Sequence, residues 1–247
     1  GLTGDDTGKQ LIVLATRVPR EGGQATLWLP WGPNFTAIAF SKYVTGENAD
    51  LTIVAHNQGR VSDLLALGQA VYTARDTFYR YPLDFWDGQL REIGAERAYL
   101  SAAAEGVVSI RRTPLTANDT SGLGEAVEVA HGVLRRNVSA CLTPDTVQLT
   151  VVWGAIRQPA RDLSVFVHLL GADSPVPLAQ ADSAAPVFGW YPTTRWTAGE
   201  VVYDHYALLR SPDATRILIG MYEQIDGQFR NYGETALVLA EIGDCQR

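Results

Sequence analysis

Val147-Gln-Leu-Thr-Val-Val-Trp153 and Leu163-Ser-Val-Phe-Val-His-Leu-Leu170 read with a period of two. Val147, Leu149, Val151 and Trp153 fall on one face, with Gln148, Thr150 and Val152 on the other. Leu163, Val165, Val167 and Leu169 alternate in the same way with Ser164, Phe166, His168 and Leu170. Successive strand side chains point to opposite faces, so each segment reads as a strand with one face to a core. Further strand runs are Val201–Leu209, Arg216–Tyr222 and Ala236–Ile242. The turn clusters Thr143-Pro-Asp145, Ala172–Pro175, Ser211-Pro-Asp213 and Asp226-Gly227 separate them. Short strands at this spacing predict an antiparallel β-sandwich over 125–247.

Upstream the period changes. Leu11, Leu14, Ala15 and Val18 keep helical spacing up to Pro19, and Gly22-Gly23 make a turn. Ala25–Pro30, Leu51–Ala55, Ala70–Thr73 and Val107–Arg111 are short apolar strand runs. Between them lie a helix capped by Asn34 and stopped by Gly46, and another through Val61, Leu64 and Leu65. Leu83–Ile93 reads as helical, and Ala95–Glu105 as either a helix or a strand ending in a turn. Helices alternating with apolar strands predict an α/β domain over 1–112, a small parallel sheet with flanking helices. The polar, turn-rich stretch 113–124 has the composition of a linker.

The 247 residues are 46% hydrophobic and 19% charged, the balance of a folded globular chain. A net charge of −7 argues against a nucleic-acid partner, which needs a basic field. No apolar run is long enough to span a bilayer, and Gly1–Asp6 lacks the basic and apolar regions of a signal peptide. Met221 is the single methionine, so the chain is expected to be processed or cut from a longer product. Cys141 and Cys245 exclude CxxC redox and zinc patterns. They are either one disulfide of an exported protein or two inert thiols.

The chemistry-bearing candidates are few. Trp31-Gly-Pro-Asn34 joins a strand to a helix, where backbone amides can hold a phosphate, yet it matches neither a dinucleotide fingerprint nor a P-loop. His56, His131, His168 and His205 have no metal-ligand spacing, so no metal and no cofactor is expected. Asp84/Asp87 and Glu92/Glu96 are acidic pairs of the kind used in sugar chemistry, but such pairs on helices are commonly solvated faces. No catalytic residue is assigned. Trp190, Tyr191 and Trp196 lie close in sequence to Gln180, Asp182 and Arg195. Flat aromatic faces beside hydrogen-bonding groups make these six residues a candidate carbohydrate-binding set. The competing reading is a structural corner, with Trp196 plugging one end of the sandwich and Asp182 capping backbone amides.

One ordered series of motifs carries a resemblance. Val151-Val-Trp153 is followed by Phe166-Val-His-Leu-Leu170, Ala179-Gln-Ala-Asp-Ser183, Tyr191-Pro-Thr-Thr-Arg-Trp196 and Gly199-Glu-Val-Val-Tyr-Asp204. This series resembles the soluble C-terminal region of bacterial multi-pass membrane glycosyltransferases that use polyprenyl-phosphate sugars, and of related uncharacterised membrane proteins. Trp31, Tyr43, Asp50-Leu-Thr-Ile-Val54 and Gly68-Gln-Ala-Val-Tyr72 are similar to the segment after their last transmembrane helix. The resemblance implies an extracytoplasmic module without turnover of its own, anchored through a preceding membrane region. Its partners would be the transmembrane part of the same polypeptide and cell-envelope glycan. The alternatives are a stand-alone exported carbohydrate-binding protein, or an α/β enzyme with its site at the carboxyl ends of the parallel strands.

Overall fold

The structure is a computed structural model that describes residues 7–20, 25–57, 60–120, 123–172 and 174–245. The Gly22-Gly23 turn, the opening Gly1–Asp6, and Asp173 of the Ala172–Pro175 turn lie outside them. The chain forms two compact units, Gly1–Thr113 and Pro114–Arg247.

In the first unit the strands are β1 (Ala25–Leu29), β2 (Leu51–Ala55), β3 (Val71–Ala74), β4 (Tyr99–Ala104) and β5 (Val107–Arg111). They form a sheet in the order β2-β1-β3-β5-β4. β1 runs parallel to both β2 and β3, but β3–β5 and β4–β5 are antiparallel. The sheet is therefore mixed, which corrects the expected parallel sheet. The reason is local: β4 and β5 are separated only by Glu105 and Gly106, with Gly106 at φ 76°. A two-residue connection can only return the chain antiparallel.

The helices are α1 (Thr7–Thr16), α2 (Pro33–Phe40), α3 (Val61–Ala66) and α4 (Leu83–Arg91). Gly32, not Asn34, is the N-cap of α2, because Pro33 takes the first helical position where its missing N–H costs nothing. One π-helical turn, Ser41–Thr45, extends α2 to Gly46, which closes it at φ 76° as its C-cap. Leu27 and Leu29 of β1 face a core shared with Leu11 and Ala15 of α1 and Ile38 of α2. Trp28 alternates to the opposite face and packs on Tyr81, Phe85 and Trp86 of the α4 region.

The second unit is a pair of antiparallel sheets, as the period-two pattern predicts. Their strands are β6 (Val127–Ala130), β7 (Val133–Leu142), β8 (Thr146–Ala155), β9 (Ser164–Leu170), β10 (Ala179–Gln180), β11 (Val201–Leu209), β12 (Arg216–Ile225) and β13 (Gln228–Val238). One sheet runs β10-β9-β12-β13 and the other β11-β8-β7-β6. Val147, Leu149, Val151 and Trp153 are buried, as are Val165, Val167, Leu169, Ile217 and Ile219. His131-Gly132 and Asp226-Gly227 join their hairpins with φ positive at both residues. That is the two-residue geometry matched to strand twist. The last strand thus starts right after Asp226-Gly227 rather than at Ala236, and Leu239–Glu241 is a short 3-10 turn.

The stretch expected as a linker is largely part of this unit. Thr116 bridges Glu200, and Val201 N–H donates to the Leu115 carbonyl at 2.8 Å. Cys141 and Cys245 are joined by a disulfide, with Cα atoms 4.8 Å apart. Cys245 N–H also donates to the Leu142 carbonyl at 2.9 Å, so Asp244 and Cys245 are held along β7. No helix among the described residues is long and apolar enough to cross a membrane.

Candidate functional site

The aromatic segment before β11 is built around a rare backbone. Val187, Phe188 and Gly189 have φ of 57°, 59° and 89°. Left-handed backbone costs about 1–2 kcal/mol per L-residue, and a β-branched residue there is a genuine outlier. The segment closes on itself through Gly189 N–H to the Ala185 carbonyl and Tyr191 N–H to the Pro186 carbonyl, at 2.9 and 3.1 Å. Asp204, wholly buried on the inner face of β11, accepts the Val187 N–H at 3.0 Å. Its other oxygen accepts the Tyr206 hydroxyl. Burial pushes the Asp204 carboxyl up to about 7, against the pull of hydrogen bonds from Tyr206, Val187, Trp153 and His205. Next to it on the strand, burial pushes the His205 imidazole down to about 4.

Tyr191 and Trp196 are both fully buried, 6.4 Å apart between ring centroids. Tyr191 donates its hydroxyl to Glu200 at 2.8 Å. The other Glu200 oxygen accepts the backbone N–H and hydroxyl of Thr197 at 2.9 and 3.2 Å. Glu200 is itself buried, and these donors satisfy its carboxyl oxygens. Neither ring offers a face on which a sugar could stack, and both act as the corner plug of the sandwich. Trp190 and Arg195 are half-buried.

Gln180 and Asp182 belong to a different grouping. Gln180 pairs across the sheet with His168, and Asp182 lies 3.1 Å from His168 Nε2. Asp182 also accepts the Val167 N–H at 3.3 Å, and so caps a backbone amide.

The helical acids do not form a couple. Asp87 is buried and accepts the Ala98 N–H at 2.9 Å, whereas Glu92 takes Ser62 and Gln89, and Glu96 pairs with Arg97. Among the described residues no group of three or more His, Cys, Asp or Glu could hold a metal ion. The Trp31–Asn34 loop is an ordinary helix entry, with the Trp31 ring packed on Phe35 at 5.1 Å.

Three features escaped the sequence reading. One is Asp204 itself. Another is Glu223, which accepts from His131 at 3.0 Å, Arg161 at 3.1 Å and Tyr232 at 2.6 Å. Bonds from Tyr232 and His131 draw its carboxyl down to about 2 against its burial, with Arg161 adding to them. The third is the lining of a cleft of about 460 Å³ at the carboxyl ends of β1 and β2, a place the sequence offered without residues: Trp28, His56, Asn57, Arg60, Phe85 and Gln89 among others. Only Asp-in-strand and His-after-strand positions hinted at them, and such positions are common. A second cleft of about 590 Å³ lies by the end of β3, between α1 and the β4–β5 turn.

No protein-family model matches the chain, and no curated protein matches it. Among solved structures it is similar to wild-type OgpA from Akkermansia muciniphila, at 9% identity and a TM-score of 0.21. The match covers 51% of this chain and 32% of that one. A likeness this distant carries no inference on fold or activity.

Proposed function

We propose that the chain is a non-catalytic, extracytoplasmic C-terminal module of a multi-pass membrane protein of the glycosyltransferase-like kind. The transmembrane part of the same polypeptide is its partner, and cell-envelope glycan the material it works beside. The observation that carries this reading is the Cys141–Cys245 disulfide. Structural disulfides persist in oxidising compartments and are rare in reducing ones. The motif series from Val151 to Asp204 supports it independently, because the same residues form a coherent unit here. Trp153, Tyr191, Trp196 and Asp204 are all core or corner positions of one sandwich.

The test is the full-length gene product. Apolar spans are expected upstream, with the Cys141–Cys245 segment on the outer side. There a membrane-impermeant protease should reach it in intact cells, and both thiols should resist alkylation until reduced. Reduced cysteines on the cytoplasmic side, or a gene product with no upstream spans, would overturn the reading.

A further inference from the structure

The cleft at the ends of β1 and β2 joins an aromatic face to a polar rim. Its apolar part is Phe85, half-buried, backed by Trp28 at 5.9 Å and Tyr81 at 4.8 Å. Its polar rim is donor-rich. His56 Nδ1 accepts the Trp31 N–H at 2.8 Å, so the neutral ring carries its proton on Nε2 and presents a donor. Asn57 adds an amide. Gln89 gives its N–H to Glu92 at 3.3 Å, which leaves its carbonyl as an acceptor. Arg60 is the charged group of the lining, its side chain 77% exposed and 3.8 Å from Glu92. That carboxylate already accepts from Ser62 and Gln89, so Arg60 is only loosely engaged. The larger cleft carries acids as well as bases in its lining: Arg17 is paired with Glu105 at 3.1 Å, and Arg75 sits by Asp76 at 3.6 Å.

A ring face, a loosely held guanidinium and no carboxylate in the lining select a ligand with a flat C–H face and an anionic, acceptor-rich edge. The volume lies in the range of small-molecule sites. The location is also where open sheets with parallel strands bind ligands. We infer that this cleft binds an anionic pyranose, a six-membered sugar bearing a carboxylate or a phosphate, with its C–H face on Phe85 and its charge at Arg60. This gives the accessory module a ligand, and it stands separately from the membrane assignment: topology mapping can fail while binding holds, and the reverse.

The experiment titrates the whole 247-residue chain with glucuronate, glucose 1-phosphate, glucose and inorganic phosphate, followed by NMR or calorimetry. At least one anionic sugar should saturate the site, with glucose and inorganic phosphate each weaker by roughly tenfold. Which anionic sugar binds more tightly identifies the charged group. Arg60→Gln, at an exposed side chain, should weaken the anionic sugar about tenfold and leave glucose unchanged. Phe85→Leu should weaken both sugars and leave inorganic phosphate unchanged. Absence of saturable binding by either anionic sugar would overturn the inference. So would unaltered affinity in Arg60→Gln, or inorganic phosphate binding as tightly as glucose 1-phosphate.

Discussion

Replacing Asp204 with Asn should change how stability depends on pH, because two neighbours on β11 titrate in opposite senses. The folded Asp204 carboxyl holds its proton up to about 7, against an ordinary value of 3.8. Between those limits the folded state carries the extra proton. This contribution is fully present below 3.8 and is lost as pH rises through 7. At about 1.4 kcal/mol per pH unit it amounts to roughly 4 kcal/mol. His205 works the other way. Its folded imidazole releases its proton near 4, against an ordinary 6.5. That contribution is present above 6.5 and is lost as pH falls through 4, about 3 kcal/mol in all.

The wild-type profile should therefore be shallow between about pH 5 and 6.5, decline slightly as pH rises through 7, and level off above it. Asparagine matches the protonated carboxyl in shape. Its carbonyl can keep the Val187 N–H, and the Tyr206 hydroxyl can turn to accept from the new amide. Asp204→Asn should thus be close to wild type near pH 4 and more stable by up to about 4 kcal/mol near pH 8.5. Between about pH 5 and 6.5 its stability should climb as the His205 contribution is left alone, and His205→Gln in the same background should flatten that climb. Urea denaturation at a series of pH values measures this directly. Parallel curves for Asp204→Asn and wild type would refute the reasoning, since the buried carboxyl would then carry no titration.

Trp196→Ala should cost about 3–5 kcal/mol in the same assay, the range for a large aromatic removed from a closed core. Cys245→Ser should cost about 4–5 kcal/mol on the loop-closure estimate for a separation of 104 residues, and thermal melts with and without reductant should show the same difference in the wild type. Gly220→Ala would set a Cβ 2.5 Å from the Phe166 ring and 2.9 Å from the Tyr232 carbonyl. Overpacking of this kind costs about 1–3 kcal/mol, and a variant as stable as wild type would mean that both the Phe166 ring and the β13 backbone at Tyr232 give way.

By itself the sequence determined the sandwich strands around Val147–Trp153 and Leu163–Leu170. Period two is set by backbone geometry, and a strand so patterned has one face that must be buried. It likewise determined the Gly46 helix stop and a turn at Asp226-Gly227, though not the strand that follows that turn directly, because positive φ is a local demand that few residues meet. Pairing partners lay beyond it. That β5 rather than β4 lies beside β3, and so pairs with it antiparallel, is decided by tertiary packing, and no residue of Val107–Arg111 records it. The burial of Tyr191 and Trp196 was hidden for the same reason. Trp190, Tyr191 and Trp196 are adjacent in sequence and aromatic, and nothing local says that two of the rings point inward onto Glu200 and the core. Asp204 occupies an inward position of β11 where the pattern asks for an apolar residue. Only the fold reveals that a left-handed turn beginning seventeen residues upstream, at Val187, is held by its side-chain oxygen, since a side chain's partner is decided by what packs against it.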